Sequence, residues 1–492
     1  MKTPTEARIW RGPISRPSRR ELLALLAILA VSGLVAAKFV AAGAPLGHDE
    51  AVYALKSRQM KLGGTSAWYW NDYRSPGLPL LLQLTWLVRG TEPFLRMSVW
   101  AFGSLGVILT WLIGRSLFST RAGLLGAAGL SLASPWLASS TSIWPDVPGA
   151  VLGMAAIAIV LFATDGDRVS WWVLAAAPFA VAAVLVRYGA LVPMGIGGLA
   201  ILIWRWPMLR RGWPQLLSLA SIIAVGSLLI LLVPGVTGAA TSPLSSINTS
   251  KAASDFPITQ GIRDYIRQAD FVAGGYVGLL LILGLVLAVL YAKKDPGLRA
   301  SAVFVFSVTG ATALVLVLIL HGEYRYLVPV FPFAWILGGM GLAEASRRIP
   351  RETAMAVAVV LAILLPINAL SHGDLEADKN DERFGDLRLV ATAIDAEHGY
   401  EECGVITSYI PQVAWYSECV IRRFETVPVL TSPFFVEPQA DYMLLVTGGK
   451  RQPQGESLDA YLETTDEVFI ESGNPEAGNL EYAVVYTLQD DS

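Results

Sequence analysis

The hydrophobic residues of this chain fall into long runs that polar stretches separate. The first run, 21–40, is long enough to cross a hydrocarbon core of about 30 Å. Ten more runs follow, over 97–118, 122–142, 147–163, 170–186, 189–204, 215–234, 271–292, 300–320, 326–343 and 353–370. The pattern predicts an α-helical polytopic membrane protein with about eleven transmembrane helices.

The positions of Lys and Arg predict which loops face the cytoplasm. Short basic loops resist translocation, and alternate loops of this chain carry the basic residues. We therefore predict a cytoplasmic N-terminus over 1–20. The apolar stretch 78–88 is too short to cross, so we interpret it as a helix at the outer surface of the cell membrane. An odd number of spans then places residues 371–492 outside the cytoplasm.

The composition indicates two environments in one chain. Hydrophobic residues make up 54% of the sequence and charged residues 16%, which excludes a single water-soluble core. The net charge of −3 conceals a division, because residues from 371 onward hold 24 Asp and Glu against 7 Lys and Arg. We predict a transmembrane domain over 21–370, with outer loops 43–96 and 235–270, and a soluble extracytoplasmic domain over 371–492.

The soluble domain is predicted to be small and of the α/β class. Helical and strand-like runs alternate there, with helices near 386–398 and 410–415 and strands near 403–408, 442–446, 468–470 and 482–487. The two cysteines of the chain, Cys403 and Cys419, both lie in this domain. We expect them to form a disulfide, because disulfides form in oxidising compartments outside the cytoplasm.

Ionisable and aromatic residues collect in the predicted outer loops. Transporters and channels place such residues near the middle of the bilayer, so this distribution favours chemistry at the membrane surface. The outer segments concerned are Gly47-His48-Asp49-Glu50, Arg74-Ser75-Pro76, Trp144-Pro145-Asp146, Arg187-Tyr188 and His321-Gly322-Glu323-Tyr324-Arg325-Tyr326.

The order and spacing of these segments resemble those of the GT-C glycosyltransferases. Within that group, residues 20–370 are most similar to the branch that contains protein O-mannosyltransferases and lipid A aminoarabinose transferases. The resemblance implies transfer of a sugar from a polyprenyl phosphate to a lipid, glycan or protein acceptor, outside the membrane and with inversion. Expected partners are membrane lipid, the polyprenyl-phosphate-linked sugar and an unidentified acceptor, but no nucleic acid.

Three carboxylates are the candidate catalytic residues. A phosphate leaving group departs without a general acid, so such an enzyme needs a base and cations that bind phosphate. By resemblance, Asp49 is the base, Glu50 orients the acceptor or its own helix, and Asp146 is a second acidic residue of the site. His48 is a possible further member. The alternative for Asp49 and Asp146 is to cap the helices that start there.

Three arginines are the candidates for binding the donor phosphate. Arg187 resembles a family position that holds Lys or Arg, and Arg74 stands in Arg-Ser-Pro-Gly where the family has Lys or His before Pro-Pro. Arg325 is a candidate because an acid and aromatic residues flank it at the outer start of a predicted span. A guanidinium binds phosphate oxygens through two parallel hydrogen bonds. Anchoring at the membrane interface is the alternative for each arginine. His321, Glu323 and Tyr324 are possible further contributors.

The sequence implies no cofactor beyond the donor. A divalent metal lacks a supporting cluster of ligands, and the aromatic stretch 68–73 is as typical of a membrane-interface belt as of a sugar-binding site. In the long loop 235–270, residues 262–269 are predicted to form an interfacial helix that either covers a substrate or only connects two spans. The alternative functions are a multi-span transporter or lipid flippase, and a non-catalytic membrane scaffold.

Overall fold

The computed structural model describes residues 16–61, 74–164, 169–209, 212–233, 242–245, 258–269, 271, 275–319, 323–398, 403–422, 441–446, 458–459, 462–463, 465–472 and 483–488. Two compact units emerge from its contacts. The membrane unit consists of Met1–Ala41 and Thr65–Gly373, and the C-terminal unit consists of Ala42–Gly64 and Asp374–Ser492.

Sixteen α-helices and five strands are defined in the described part of the chain. The helices are α1 Arg19–Ala41, α2 His48–Lys61, α3 Gly77–Trp86, α4 Glu92–Leu117, α5 Thr120–Leu132, α6 Ser134–Thr141, α7 Asp146–Ala163, α8 Ala176–Val186, α9 Leu191–Leu209, α10 Trp213–Leu232, α11 Ile258–Arg267, α12 Gly275–Lys294, α13 Pro296–Ile319, α14 Phe331–Ser346, α15 Arg351–His398 and α16 Ile410–Tyr416. The strands are β1 Gly404–Ile406, β2 Val420–Arg422, β3 Tyr442–Val446, β4 Thr465–Ser472 and β5 Ala483–Leu488. Short 3₁₀ turns cover Trp171–Ala175, Tyr188–Ala190 and Tyr324–Leu327.

The helical polytopic architecture predicted from the sequence is confirmed. Among the described residues, 7 helices are long and apolar enough to cross a membrane, or up to 8 if the bent pair α5 and α6 forms one span. The other predicted runs are shorter apolar helices over Trp171–Val186, Tyr188–Trp204 and Phe331–Ser346. Each of the eleven runs therefore contains helix, although three of these helices are shorter than a usual span.

Two predicted elements differ in form from the structure. The run 122–142 is broken by a 61° bend between α5 and α6, because Pro135 at the start of α6 cannot donate a backbone hydrogen bond to the preceding turn. The last apolar run and the separately predicted helix 386–398 form one helix, α15, of 48 residues with Pro366 inside. The short helix α3 has 10 residues, which rise about 15 Å, half of the hydrocarbon thickness.

Helix α14 forms the packed centre of the membrane unit. It lies against α5 on one side and α12 on another, and glycines allow these close approaches. A Cβ at Gly339 would meet the backbone of Gly126, and a Cβ at Gly341 would collide with the carbonyl of Gly284. Small residues at such contacts let backbones pack closely where lipid supplies no hydrophobic driving force.

The C-terminal unit contains a five-stranded sheet with the order β2-β1-β3-β5-β4. Strand β1 pairs in parallel with β2 and β3, whereas β5 pairs antiparallel with β3 and β4. The predicted strands are present in this sheet. It also contains β2, which the sequence did not predict because a strand of three residues gives too short a pattern. The predicted disulfide is confirmed, since Cys403 and Cys419 are bonded just before β1 and β2.

The end of α15 shows why its sequence forms a helix in this unit. Leu387, Val390, Ala391 and Ile394 follow the spacing of one helical face, and each is at most 2% exposed. Burial of this stripe stabilises the helix end within the C-terminal unit.

Candidate functional site

An ion pair joins two of the predicted site residues. Asp146 is the first residue of α7, and Arg187 follows the end of α8 in an extended conformation. The Asp146 carboxylate pairs with the Arg187 guanidinium, and their side chains are 2% and 14% exposed. A buried charge is costly unless it is paired, so each side chain fixes the other. Pro145, the residue before α7, makes no side-chain hydrogen bond that caps the N-terminus of this helix.

The shape of α7 leaves room for the Arg187 side chain. Gly149 lies one turn after Asp146, and a Cβ added there would be 2.9 Å from the Cβ of Arg187. On another side, the Arg187 guanidinium carbon lies 5.2 Å from the ring centroid of Tyr326. A glycine, a carboxylate and an aromatic ring thus set the position of Arg187.

Arg325 approaches the same aromatic ring. Its guanidinium carbon is 5.4 Å from the ring centroid of Tyr326 and 5.1 Å from that of Trp144, within the range of cation–π attraction. Its Nε pairs with Glu323, whose side chain is 43% exposed. We call Asp146, Arg187, Glu323, Arg325, Tyr326 and Trp144 the arginine cluster.

The segment that contains Arg74 is held against the end of α8. The hydroxyl of Ser75 donates a hydrogen bond to the carbonyl of Val186. Gly77 lies so close that a Cβ there would be 2.5 Å from the backbone nitrogen of Val186. Because Ser75 and Val186 are the sequence neighbours of Arg74 and Arg187, these contacts bring the backbones of the two arginines near each other.

Arg96 in the first turns of α4 has a structural contact. It is 9% exposed, and its Nη1 donates to the carbonyl of Thr141 at 3.3 Å. Thr141 is the last residue of α6, whose terminal carbonyls have no partner within the helix. A cation at this end also interacts favourably with the helix dipole.

The first predicted carboxylates lie in the C-terminal unit, in the first turn of α2. Glu50 is fully buried, and its Oε2 accepts a hydrogen bond from the backbone N–H of Gly47 at 3.1 Å. Asp49 is half-buried and His48 is exposed. Glu50 therefore stabilises the start of α2, whereas Asp49 keeps partial access to solvent.

Three residues near the cluster were missed by sequence reasoning: Tyr265, Gln268 and Phe271. The side-chain Oε1 of Gln268 accepts a hydrogen bond from the backbone N–H of Tyr324 at 3.0 Å. The ring of Phe271 is 4.6 Å from that of Tyr324. They lie on and just after α11, the predicted interfacial helix, but no short motif distinguishes them.

Some predicted candidates lie outside the described residues, namely His321 and the aromatic stretch 68–73. Where the structure describes the chain, no group of three or more His, Cys, Asp or Glu side chains could hold a metal ion.

Comparisons with known proteins place this geometry in a known fold. The model of the dolichyl-phosphate-mannose-protein mannosyltransferase family matches residues 74–230. No curated protein matches the chain. Among solved structures, ArnT from Cupriavidus metallidurans bound to undecaprenyl phosphate is 15% identical with a TM-score of 0.63, over 96% of this chain and 99% of that chain.

Two further structures are similar. ArnT from the same organism in the apo state is 16% identical with a TM-score of 0.64, over 94% of this chain and 97% of that chain. The Archaeoglobus fulgidus oligosaccharyltransferase in complex with Zn and sulfate is 14% identical with a TM-score of 0.55, over 80% of this chain and 62% of that chain. The chain therefore has the GT-C glycosyltransferase fold, which confirms the resemblance predicted from its sequence.

Proposed function

We propose that this protein is a membrane glycosyltransferase that transfers a sugar from a polyprenyl phosphate to an acceptor outside the cytoplasmic membrane. The observation that carries the proposal is the arginine cluster, in which Arg187 and Arg325 flank the ring of Tyr326. It occurs in a fold for which one solved structure, ArnT, holds undecaprenyl phosphate. Lipid, glycan and protein acceptors are all compatible with this site.

The two arginines suit a phosphate ligand. Both arginine side chains are largely buried, at 14% and 15% exposure, so water screens their charges less than at an open surface. Glu323 is the more exposed carboxylate of the cluster, and its ion pair with Arg325 is the easier one to exchange for phosphate. Asp146 is buried and keeps Arg187 in place. Arg74, whose backbone lies beside Arg187, is proposed as a third phosphate-binding residue.

A small crevice with mostly apolar lining residues lies near the cluster. It is lined by Ala133, Ser134, Pro135, Phe271, Val277, Gly278, Leu281, Phe331 and Trp335. Phe271 connects this crevice to the cluster, because its ring lies tilted against that of Tyr324, the neighbour of Arg325.

In the proposed reaction, the acceptor oxygen attacks the anomeric carbon and the bond from that carbon to the phosphate oxygen breaks. The leaving polyprenyl phosphate takes the bonding electrons, and Asp49 takes the proton of the acceptor hydroxyl. Asp49 suits this task better than Glu50, whose carboxylate is buried and bonded to Gly47. A single displacement of this kind inverts the anomeric configuration.

The base assignment is tested with purified Asp49→Asn and polyprenyl-phosphate sugars. We expect kcat to fall by about 10²- to 10⁴-fold, the usual value of a general base, with donor binding retained. Glu397→Gln removes an exposed carboxylate of the same unit and serves as the control. Full transfer by a folded Asp49→Asn protein would rule out the assignment.

The phosphate assignment is tested by direct binding of a polyprenyl phosphate. Arg325→Gln and Arg187→Gln should each weaken binding at least tenfold, because a hydrogen bond to a charged group contributes about 1.5–3 kcal/mol. Arg347→Gln is the matched control, since Arg347 is 40% exposed and pairs only within its own helix turn in the contacts described. Unchanged affinity in both test variants would contradict the phosphate site.

We also propose that the N-terminus is cytoplasmic and residues 371–492 are extracytoplasmic. The disulfide between Cys403 and Cys419 supports this orientation, because such bonds persist in oxidising compartments. Protease added to spheroplasts should remove epitopes of residues 371–492 and spare an N-terminal tag. The reverse pattern would refute the orientation.

A further inference from the structure

Tyr265 is a half-buried residue of α11 with an enclosed hydroxyl group. Its hydroxyl oxygen is shielded from solvent and has no hydrogen-bond partner among the described residues. Buried polar groups in native proteins are nearly always hydrogen-bonded, so an exception calls for an explanation. The mechanism proposed above does not use this residue.

The position of Tyr265 on its helix places it beside the arginine cluster. Gln268 lies three residues later, on the same face of the helix. Its Oε1 accepts a hydrogen bond from the backbone N–H of Tyr324 at 3.0 Å. The face that carries Tyr265 therefore meets the segment 323–326. Helix α11 also packs against α13, which leads into that segment.

The electrostatic surroundings of Tyr265 agree with this position. Burial raises the pKa of Tyr265 most, and the nearby Tyr326 and Glu323 raise it further, whereas Arg187 opposes them. The phenol consequently stays protonated over the physiological range and presents an O–H group. A phosphate oxygen accepts hydrogen bonds and, when ionised, forms the stronger charge-assisted kind.

We propose that Tyr265 binds the donor phosphate directly, its O–H donating a hydrogen bond to a phosphate oxygen that Arg187 and Arg325 also contact. This inference rests on the proposed function, since it requires a polyprenyl phosphate in the arginine cluster. It gives α11 a role in substrate binding beyond that of a connector. Tyr265 adds a neutral donor to the two cations without adding charge.

The test compares Tyr265→Phe with the wild-type full-length protein in lipid nanodiscs, using undecaprenyl phosphate as the probe. Phenylalanine keeps the ring and removes only the hydroxyl. We expect the Kd for the probe to rise about tenfold or more, as for loss of a hydrogen bond to a charged group. The melting temperature without probe should stay the same or increase, because the variant no longer buries an unpaired hydroxyl.

Two further variants separate the possible outcomes. Tyr276→Phe makes the same change at an exposed tyrosine of α12 and should bind the probe like the wild type.

If Arg325→Gln weakens binding but Tyr265→Phe does not, the role of Tyr265 is refuted and the proposed function stands. If Tyr265→Phe weakens binding only of the sugar-bearing donor, the hydroxyl contacts sugar and the phosphate assignment is refuted. Absence of wild-type binding would overturn both proposals.

Discussion

Arg58 of α2 lies over Trp415 of α16, with its guanidinium carbon 4.6 Å from the ring centroid. The same guanidinium donates to the carbonyls of Ala414 at 2.6 Å and Trp415 at 3.1 Å, and it pairs with Glu418 at 2.6 Å. These carbonyls belong to the end of α16, where a helix has no internal partners for them. Arg58 thus stabilises the end of α16 while fixing the last turn of α2.

The beginning of α2 is fastened to the same helix. The hydroxyl of Tyr416 accepts a hydrogen bond from the backbone N–H of Leu46 at 2.8 Å. Because α2 carries Asp49 in its first turn, the C-terminal unit sets the conformation of the segment that holds the proposed base. Contacts with α16 therefore hold both ends of α2 in place.

Arg58→Gln should loosen α2 from α16. The change removes charge-assisted hydrogen bonds worth about 1.5–3 kcal/mol each in typical proteins, so we expect a lower melting temperature. If Asp49 is the base, kcat should fall while the Kd for polyprenyl phosphate stays constant. Calorimetry and the transfer assay check the two effects. Lys61→Gln changes an exposed residue at the end of α2 and should alter neither the melting temperature nor kcat. If Arg58→Gln also changed neither quantity, Arg58 would not position α2.

The raised pKa of Asp395 should make the stability of the C-terminal unit depend on pH. Burial raises its pKa most and Glu418 raises it further, whereas Arg58 opposes the shift. A carboxyl whose pKa is higher in the folded state takes up protons on folding, so its contribution to stability is lost as pH rises from the unfolded pKa through the folded one. Asp395→Asn should therefore flatten the fall in melting temperature above about pH 4.

Arg58→Gln should have the opposite effect on this pH dependence. Without the opposing cation, the pKa of Asp395 should rise further and the loss of stability with pH should become larger. Thermal unfolding at a series of pH values measures both slopes. Equal slopes in the wild type and both variants would show that Asp395 does not control them.

Gly149→Ala tests how α7 positions Arg187. The new methyl group would lie 2.9 Å from the Arg187 Cβ, which is not a flexible end that can move aside cheaply. We expect displacement of Arg187 from Asp146 and at least a tenfold loss of affinity for polyprenyl phosphate. Gly198→Ala is the matched control, because a Cβ there meets nothing within 4 Å. Equal affinity in both variants would show that the position of Arg187 does not limit binding.

Much of the fold could be predicted because hydropathy and helix periodicity are local signals. They located the apolar helices and the main strands among the described residues, and the compartment predicted for the two cysteines indicated the disulfide, but the bend before Pro135 and the continuity of α15 were not predicted. The continuity of α15 depends on packing between distant segments, whereas the bend follows locally from Pro135, which cannot donate a backbone hydrogen bond. The pairing of Asp146 with Arg187 also joins residues far apart in the sequence, so the sequence indicated both residues but not their contact.

Tyr265 illustrates the part of the site that sequence reasoning could not reach. It belongs to no recognisable motif, and a lone tyrosine in a polar loop is usual. Only the fold shows that its hydroxyl is buried beside α13 and the arginine cluster. Residues that act through burial and distant neighbours leave little trace in local patterns.

The disulfide between Cys403 and Cys419 should make the stability of the protein depend on its redox state. Cys403 and Cys419 precede β1 and β2 and are 16 residues apart, so their bond encloses α16. Closing a loop of this length stabilises a fold by about 3 kcal/mol in the chain-entropy model. The double variant Cys403→Ser and Cys419→Ser should melt at a lower temperature, and reductant should affect the wild type but not the variant.

Because α2 is attached to α16, loss of the disulfide and loss of Arg58 should not act independently. In the disulfide-free protein α16 is already less constrained, so Arg58→Gln should lower kcat less there than in the wild type. A double-mutant cycle in the transfer assay measures this coupling, which neighbouring groups typically show at about 0.5–3 kcal/mol. Strict additivity would mean that the disulfide supports the sheet alone and that α2 is held to α16 regardless of it.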